Sequence, residues 1–556
     1  MQPQPQSVAV QSLRSWRGAL PLALALIFLN GLLSFTSWWP TIAVQPDSRI
    51  APEFVGLVLV LCIWMARSGR VPGRGLTVLA AIYGLLILGR YVDVVAPTLF
   101  GRPISLYWDV PQLPRFIWVT ATGSPPWAVV LVSVAIAVGT WSVIWGLRYV
   151  IRILGEALLP WSRSKRLWAV LTPFILLCAA NYAGVVATWP YVSKPVMPTY
   201  WRELKLVWDS RSPERIAQLL PARTVVDTAL EQPPGRALAA LGRRDLMLMF
   251  LESFGAVLYD DPQVAARVGP SREQLAEAIS ASGRQVVSAY YRSPTIGGAS
   301  DLAHLSLLSG IDLSDPRRHD LLITTERPTL LSVFRQAGYE TFGVYPSVFW
   351  DWVERGYYGF DVYLDGPSLG YEGPPFGYWK IPDQYAMARL LQAYPAMPAA
   401  RPRMTIFATM ATHFPFVPTP PYQPDWARVL TKRPFDEAAV AQASAQKVNW
   451  QDMRPDYLST VNYAHTWLTG FFSLPEARDT VYLLVGDHQP TTNVAGEGAR
   501  WDVPVYLVAR DSQLLERFRR LGFRDGMHPD AKPLGGLHDL TATLLSALSD
   551  SPVSKH

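Results

Sequence analysis

Val481-Tyr482-Leu483-Leu484-Val485-Gly486-Asp487-His488 is an apolar run that ends in a carboxylate and an imidazole. An earlier stretch follows the same plan: Leu246 to Phe250 is apolar and leads into Leu251-Glu252-Ser253. Both runs have the length and continuity of strands buried on two faces. Each delivers metal-ligating side chains where a strand meets the surface. Open α/β sheets place their chemistry at the carboxyl ends of the strands. Glu252, Asp487 and His488 are therefore expected to meet in one site, despite their distance in the chain.

The sequence around these runs supports such a sheet. Strands are predicted at 245–251, 285–290, 341–345, 404–409, 480–485 and 504–508. Helical stretches alternate with them at 272–281, 302–309, 328–337, 383–394, 455–474 and 512–521. This βαβ rhythm predicts a mostly parallel sheet flanked by helices on both faces, spanning 244–550.

The first part of the chain has a different texture. Over the whole chain 50% of residues are hydrophobic and only 17% charged, low for a soluble protein. Apolar runs near 18–38, 53–66, 75–92, 126–147 and 167–188 cause this. They predict a multi-pass α-helical membrane domain over 1–189 with about five spans. Four further apolar segments after the first, and no small-residue cleavage site, argue against a cleaved signal peptide. Arg14 and Arg17, then Arg67, Arg70 and Arg74, then Arg148, Arg152, Arg163, Lys165 and Arg166 mark three cytoplasmic segments. An odd number of spans then puts everything after about Trp189 on the extracytoplasmic side of the cell membrane. Residues 190–243 read as a linker whose segment 201–208 is an amphipathic helix, suited either to the membrane surface or to packing under the following domain. Arg90, Asp93, Arg102 and Asp109, with Tyr107 and Trp108, cluster after the third span and either anchor the interface or hold a lipid head group. The net charge of +6 is accounted for by the cytoplasmic arginines, and no basic run with interleaved aromatics points to nucleic acid. The two cysteines, Cys62 and Cys178, fall inside predicted spans, so the exported domain has no disulfide.

A third motif completes the chemistry. Gly297-Gly298-Ala299-Ser300-Asp301-Leu302-Ala303-His304 leads into Leu307-Leu308-Ser309-Gly310. Glycines followed by a hydroxyl residue at a helix start let the backbone approach an anion, which the helix N-terminus favours. A serine there becomes a nucleophile if a divalent cation lowers its pKa. Taken alone, such a serine is more often a helix cap. Carboxylate, hydroxyl, carboxylate and imidazole together make a four-ligand set for a borderline divalent ion.

Taken in order, Leu251-Glu252-Ser253, Ser300 to Gly310, Thr412-His413-Phe414-Pro415-Phe416 and Gly486-Asp487-His488 resemble the motifs of the alkaline phosphatase/sulfatase superfamily. Within it they look most like the membrane-bound branch of lipoteichoic acid synthases and phosphoethanolamine transferases. The resemblance implies one divalent metal ion, Mn or Zn with Mg as a further option, held by Glu252, Ser300, Asp487 and His488. It implies Ser300 as covalent nucleophile and His413 as the catalytic histidine at the substrate phosphate. His304, Trp350 and Arg355 are the candidates for substrate contact, although a lone helical histidine is more often structural. The implied activity is transfer of a phosphoglycerol or phosphoethanolamine head group from a membrane phospholipid to an envelope glycan or lipid.

Three departures bear on this. The nucleophile is Ser300 where the branch usually has threonine. Phe349-Trp350-Asp351-Trp352 stands where an aromatic residue closely followed by arginine is usual, which puts a glycerophosphate substrate in doubt. The disulfides of the lipid A transferases are absent. A membrane-anchored hydrolase of the phosphodiesterase or sulfatase type is the alternative enzyme. Its sulfatase form fits less well, because Asp301-Leu302-Ala303-His304 does not supply the context for formylglycine formation. A non-catalytic, polymer-binding pseudoenzyme is the third reading.

Overall fold

A computed structural model describes residues 20–549 except 39–41, 101–103, 105, 107, 108, 123, 183–191, 210–217, 350, 351, 378, 379, 395–400, 476 and 477. Contacts divide the chain into two compact units, Met1–Thr98 with Pro103–Asp209, and Leu99–Arg102 with Ser210–His556.

In the first unit, helices Leu20–Gly31, Pro52–Ser68, Gly75–Phe100, Pro126–Leu158 and Lys165–Tyr182 follow the five apolar runs. Leu29, Leu61, Met65, Ala80, Ile151 and Leu154 form their common core. Two segments among the described residues are long and apolar enough to cross a membrane, Gly75–Ala96 and Pro126–Trp161. The expected first span is shorter than its apolar run, because Phe35–Ser37 turns into an antiparallel pair with Val44–Pro46. The helix expected at 126–147 continues to Leu158, so Arg148 and Arg152 lie on it rather than in a loop. Arg90 is buried, and it donates to the carbonyls of Lys194 (3.2 Å) and Phe35 (2.8 Å). Asp93 meets Lys194 at 3.4 Å. This pair ties segments of the unit together, while Arg102, Tyr107 and Trp108 of the same cluster lie outside the described residues. Helix Met197–Asp209 turns Trp201 (71% exposed), Leu204 and Trp208 (73% exposed) outward and buries Glu203.

The second unit is built on an eight-stranded sheet. Its strands are β1 (Asp245–Leu251), β2 (Gln285–Arg292), β3 (Glu340–Tyr345), β4 (Val362–Asp365), β5 (Arg403–Ala408), β6 (Thr480–Gly486), β7 (Asp502–Ala509) and β8 (Arg524–Asp525). The order across the sheet is β8-β2-β7-β6-β1-β5-β3-β4. β1 pairs in parallel with β5 and β6, and β3 with β4 and β5. β7 runs antiparallel to both β6 and β2, and β8 is antiparallel to β2. The expected mostly parallel sheet is therefore mixed, with β7 and β8 opposing the other six strands. No helix of crossover length separates β6 from β7, only a loop with the short helix Thr492–Ala495, so the chain folds back beside itself.

β1 and β6 are buried along their whole length, as strands covered on both faces must be. Met247, Met249 and Leu251 point to one face with Phe407, Leu484 and Tyr506. Helices α1 (Pro262–Ala281) and α4 (Arg454–Phe472) close that face through Val264, Val268, Leu275, Val461, Trp467 and Leu468. α3 (Asp383–Ala393) joins the same core through Ala386, Met387 and Leu390. The alternate residues of β1 face α2 (Ser300–Ser309), where Phe250 stacks on His304 at 3.8 Å.

Candidate active site

Register creates the site. Leu251 of β1 lies opposite Gly486 of β6, so the next residues, Glu252 and Asp487, leave the sheet side by side. Gly486 is required there, since a Cβ would collide with the carbonyl oxygen of Phe254. Beyond the strand, Asp487 Oδ1 accepts from the amides of Ser253 (2.8 Å) and His488 (2.6 Å), which fixes its carboxylate. The Ser293 hydroxyl donates to the Asp487 carbonyl at 2.6 Å. His488 Nδ1 donates to the carbonyl of Gln489 at 2.7 Å, which leaves Nε2 as the acceptor nitrogen.

That nitrogen lies 3.4 Å from Glu252 Oε1 and 3.6 Å from Asp487 Oδ2. Ser300 completes the group: its Oγ is 3.1 Å from Glu252 Oε2 and 3.2 Å from His488 Nε2. Ser300 does not cap its helix. Ala299 occupies the N-cap with φ 63°, which turns the Ser300 side chain toward the carboxylate. Ser253, just after Glu252, also has a positive φ of 55°. Two non-glycine residues in this sparsely populated region, one beside each functional side chain, are the sort of strain found at functional sites.

Glu252, Asp487 and His488 are all buried, and one ligand atom from each lies within 4.8 Å of the others. Burial, and then the neighbouring Asp487, push the Glu252 carboxyl well above the usual range. Among the described residues, Asp487 Oδ2 is buried with no hydrogen-bond partner. Two buried carboxylates aimed at one point, with an imidazole acceptor beside them, fit a divalent cation. Glu252, Ser300, Asp487 and His488 are the side chains able to hold it.

The remaining expected residues fall in different places. His413 sits on the turn that follows β5 and donates from Nδ1 to the Phe414 carbonyl at 2.7 Å. Burial holds its imidazole neutral, with a pKa pushed down to about 4. His304 is buried against Phe250, its Nε2 is 3.9 Å from Asp487 Oδ2, and neither ring nitrogen has a hydrogen bond among the described residues. Desolvation lowers its pKa to about 4. Arg355 is away from this group, its guanidinium 4.6 Å over the ring of Tyr363. Trp350 lies outside the described residues, and its neighbour Trp352 is packed against Tyr345 at 4.5 Å. His465, buried on α4, is bonded through Nδ1 to Ser271 at 2.8 Å and packs edge-on to Phe254.

Several supporting residues carry no sequence motif of their own. Thr409 Oγ1 accepts from the Glu252 amide (3.0 Å), and Thr412 Oγ1 donates to the Glu252 carbonyl (2.5 Å). Tyr457 of α4 donates to the Ser253 carbonyl at 2.8 Å. Asp383 is buried at the start of α3 and accepts from the amides of Met410 (2.7 Å) and Ala411 (3.0 Å). Burial pushes its carboxyl up to about 7, against the pull of those two donors.

Comparison with curated proteins found no match. Residues 307–549 match the Sulfatase family model. A protein in the alkaline phosphatase superfamily from Vibrio parahaemolyticus is similar at 16% identity and TM-score 0.37, over 55% of this chain and 66% of that one. The chain thus spans just under two thirds of that structure. The lipoteichoic acid synthase LtaP from Listeria monocytogenes is similar at 14% identity and TM-score 0.37, over 56% of this chain and 73% of that one. The Streptococcus pyogenes phosphoglycerol transferase GacH, in complex with sn-glycerol-1-phosphate, is similar at 14% identity and TM-score 0.35, over 62% of this chain and 83% of that one. Such distant likenesses transfer no activity. The family match is the firmer finding: residues 307–549, under half of the chain, are similar to the Sulfatase family model.

Proposed function

We propose that this chain is a metal-dependent phosphotransferase. It would take a phosphoglycerol or phosphoethanolamine head group from a membrane phospholipid, carry it on Ser300, and pass it to an envelope glycan or lipid. The observation that carries the proposal is the placement of Ser300, whose hydroxyl is turned from helix capping onto both Glu252 and His488. A hydroxyl so placed is a nucleophile in waiting. A divalent ion held by Glu252, Ser300, Asp487 and His488 would polarise a phosphoryl oxygen and favour the ionised serine.

The chain's own groups account for the rest. Ser300 Oγ forms the bond to phosphorus while the bond to the diacylglycerol oxygen breaks, and the proton given up by Ser300 leaves on diacylglycerol. The acceptor hydroxyl then attacks the same phosphorus and frees Ser300. His413, whose ring is held neutral, would take the proton of the incoming hydroxyl and pass it to the departing Ser300 oxygen. His304, buried with both nitrogens unbonded and facing Asp487, is placed to meet a phosphoryl oxygen.

The assay is direct. Purified protein given labelled phosphatidylglycerol or phosphatidylethanolamine, with a divalent ion, should release diacylglycerol from one of them. Label recovered only as free head-group phosphate would indicate the hydrolase, and no release from either lipid would overturn the reading.

Membrane attachment is part of this reading. A domain tethered to the bilayer meets a lipid donor at high effective concentration. The proposed arrangement has about five spans over 1–189, a linker over 190–243 and a catalytic domain over 244–550 on the extracytoplasmic side. The outward Trp201, Leu204 and Trp208 support a helix resting in the interface. A reporter enzyme fused after Trp189 should be active only outside the cytoplasm, and one fused at 163–166 only inside. The opposite pattern would reject this orientation.

A further inference from the structure

We propose that Asp383 is a positioning residue, which fixes His413 by holding the turn that carries it and that is bonded to Glu252. The inference rests on the catalytic role proposed for His413. Asp383 is 1% exposed and opens α3, yet its carboxylate makes no cap to its own helix. Both oxygens are committed to another segment instead, one to the Met410 amide and one to the Ala411 amide. The same turn is closed by the His413 amide, which donates to the Met410 carbonyl at 3.0 Å. It is joined to the metal-ligating end of β1 through Thr409 and Thr412, which bind the amide and the carbonyl of Glu252. Asp383 and His413 also line one narrow cavity of about 30 Å³.

Burying a carboxylate costs several kcal/mol unless strong donors compensate it. Among the described residues the compensation comes from the two amides that shape the His413 turn, so the cost is tied to that turn's geometry. An apolar residue could also start α3, losing only the small gain of a negative charge at a helix N-terminus. What it would not do is orient two consecutive amides, and with them the plane from which His413 projects. α3 is itself held at this end: Gln384 donates to the Gln423 carbonyl at 2.6 Å and accepts from the Gln423 amide at 3.0 Å. Asp383 thus adds a rigid reference on the α3 side to a turn whose other side is held by Glu252.

The test is Asp383→Asn, which keeps the shape and loses the second acceptor oxygen. With histidine-labelled protein, the ring nitrogen signals of His413 are identified by their loss in His413→Ala. We expect Asp383→Asn to move the His413 signals and leave those of His465 in place. For diacylglycerol release, kcat should fall about 10- to 100-fold, with KM and bound metal within about two-fold. Placed in His413→Ala, the same change should cost less than about two-fold more, because residues acting through one another are not additive. An unmoved His413 signal, or losses that multiply, would overturn the inference. If the wild type releases no diacylglycerol, the proposed function fails, while the ring signals still decide the role of Asp383. If Asp383→Asn does not fold, Asp383→Glu keeps the anion on a longer side chain and is held to the same outcomes.

Discussion

Ser300→Ala is expected to remove the phosphorylated enzyme and to lower diacylglycerol release by about 10⁴-fold or more, the scale seen when a covalent nucleophile is deleted. The oxygen lost is the one poised between Glu252 Oε2 and His488 Nε2. Ala299 remains the N-cap and Gly310, with φ 69°, still ends the helix, so α2 should form as before. Metal affinity should largely persist, because Glu252, Asp487 and His488 are untouched. Ser300→Thr retains the hydroxyl and should retain partial activity. The deciding measurement is mass spectrometry of the wild type supplied with donor but starved of acceptor, conditions under which a ping-pong enzyme accumulates its adduct. An adduct on another residue, or full activity in Ser300→Ala, would refute the assignment.

The second large effect is expected at the paired residues after β6. Asp487→Asn keeps the shape of the side chain and the Oδ1 acceptor for the amides of Ser253 and His488. What it removes is the charge and the oxygen that has no partner. His488→Ala removes the nitrogen facing both carboxylates. Either change should cost turnover almost entirely and weaken ion binding by more than about 100-fold, beyond what losing an outer partner of a ligand costs. Stability gives a readout independent of activity. An ion at about 100 times its Kd stabilises the native state by about 2.7 kcal/mol. Added Mn or Zn should thus raise the Tm of the wild type and leave both variants unmoved. Metal-free Asp487→Asn should be no less stable than metal-free wild type, since it also removes the like charge that helps push up the Glu252 pKa. An equal metal response in wild type and both variants would place the ion elsewhere.

The core strands were legible in the sequence because their burial is continuous. β1, β2, β3, β5, β6 and β7 all coincide with apolar runs. β4 and β8 were not foreseen: β4 is only half-buried and β8 has two exposed residues, so neither leaves an apolar signature. The direction of β7 was also missed. Its composition is that of any buried strand, and whether such a strand runs parallel depends on the loop after His488 turning back, which periodicity does not encode.

The helices of the first unit show the same limit from the other side. Apolar runs located all five, yet the first yields to the strand Phe35–Ser37 and the fourth extends well past its predicted end. Hydropathy marks which residues avoid water, and helix ends are set by backbone pairing that it does not measure.

The sequence by itself determined the ligand types and the strand ends that present them, because chemistry at a strand's end is local: Glu252 follows one apolar run and Asp487-His488 another. Tertiary structure decided that these ends are neighbours, through the register that sets Leu251 against Gly486. It also decided that Ser300 points inward and caps nothing, and that Arg355 stays with Tyr363 and away from the carboxylates. Asp383 shows the division most clearly. In the sequence it is one more acidic residue at a helix start, a common and favourable place for one. Only the fold brings the amides of Met410 and Ala411 to its two oxygens, because hydrogen bonds between segments distant in sequence depend on how the layers pack, and no local pattern records that.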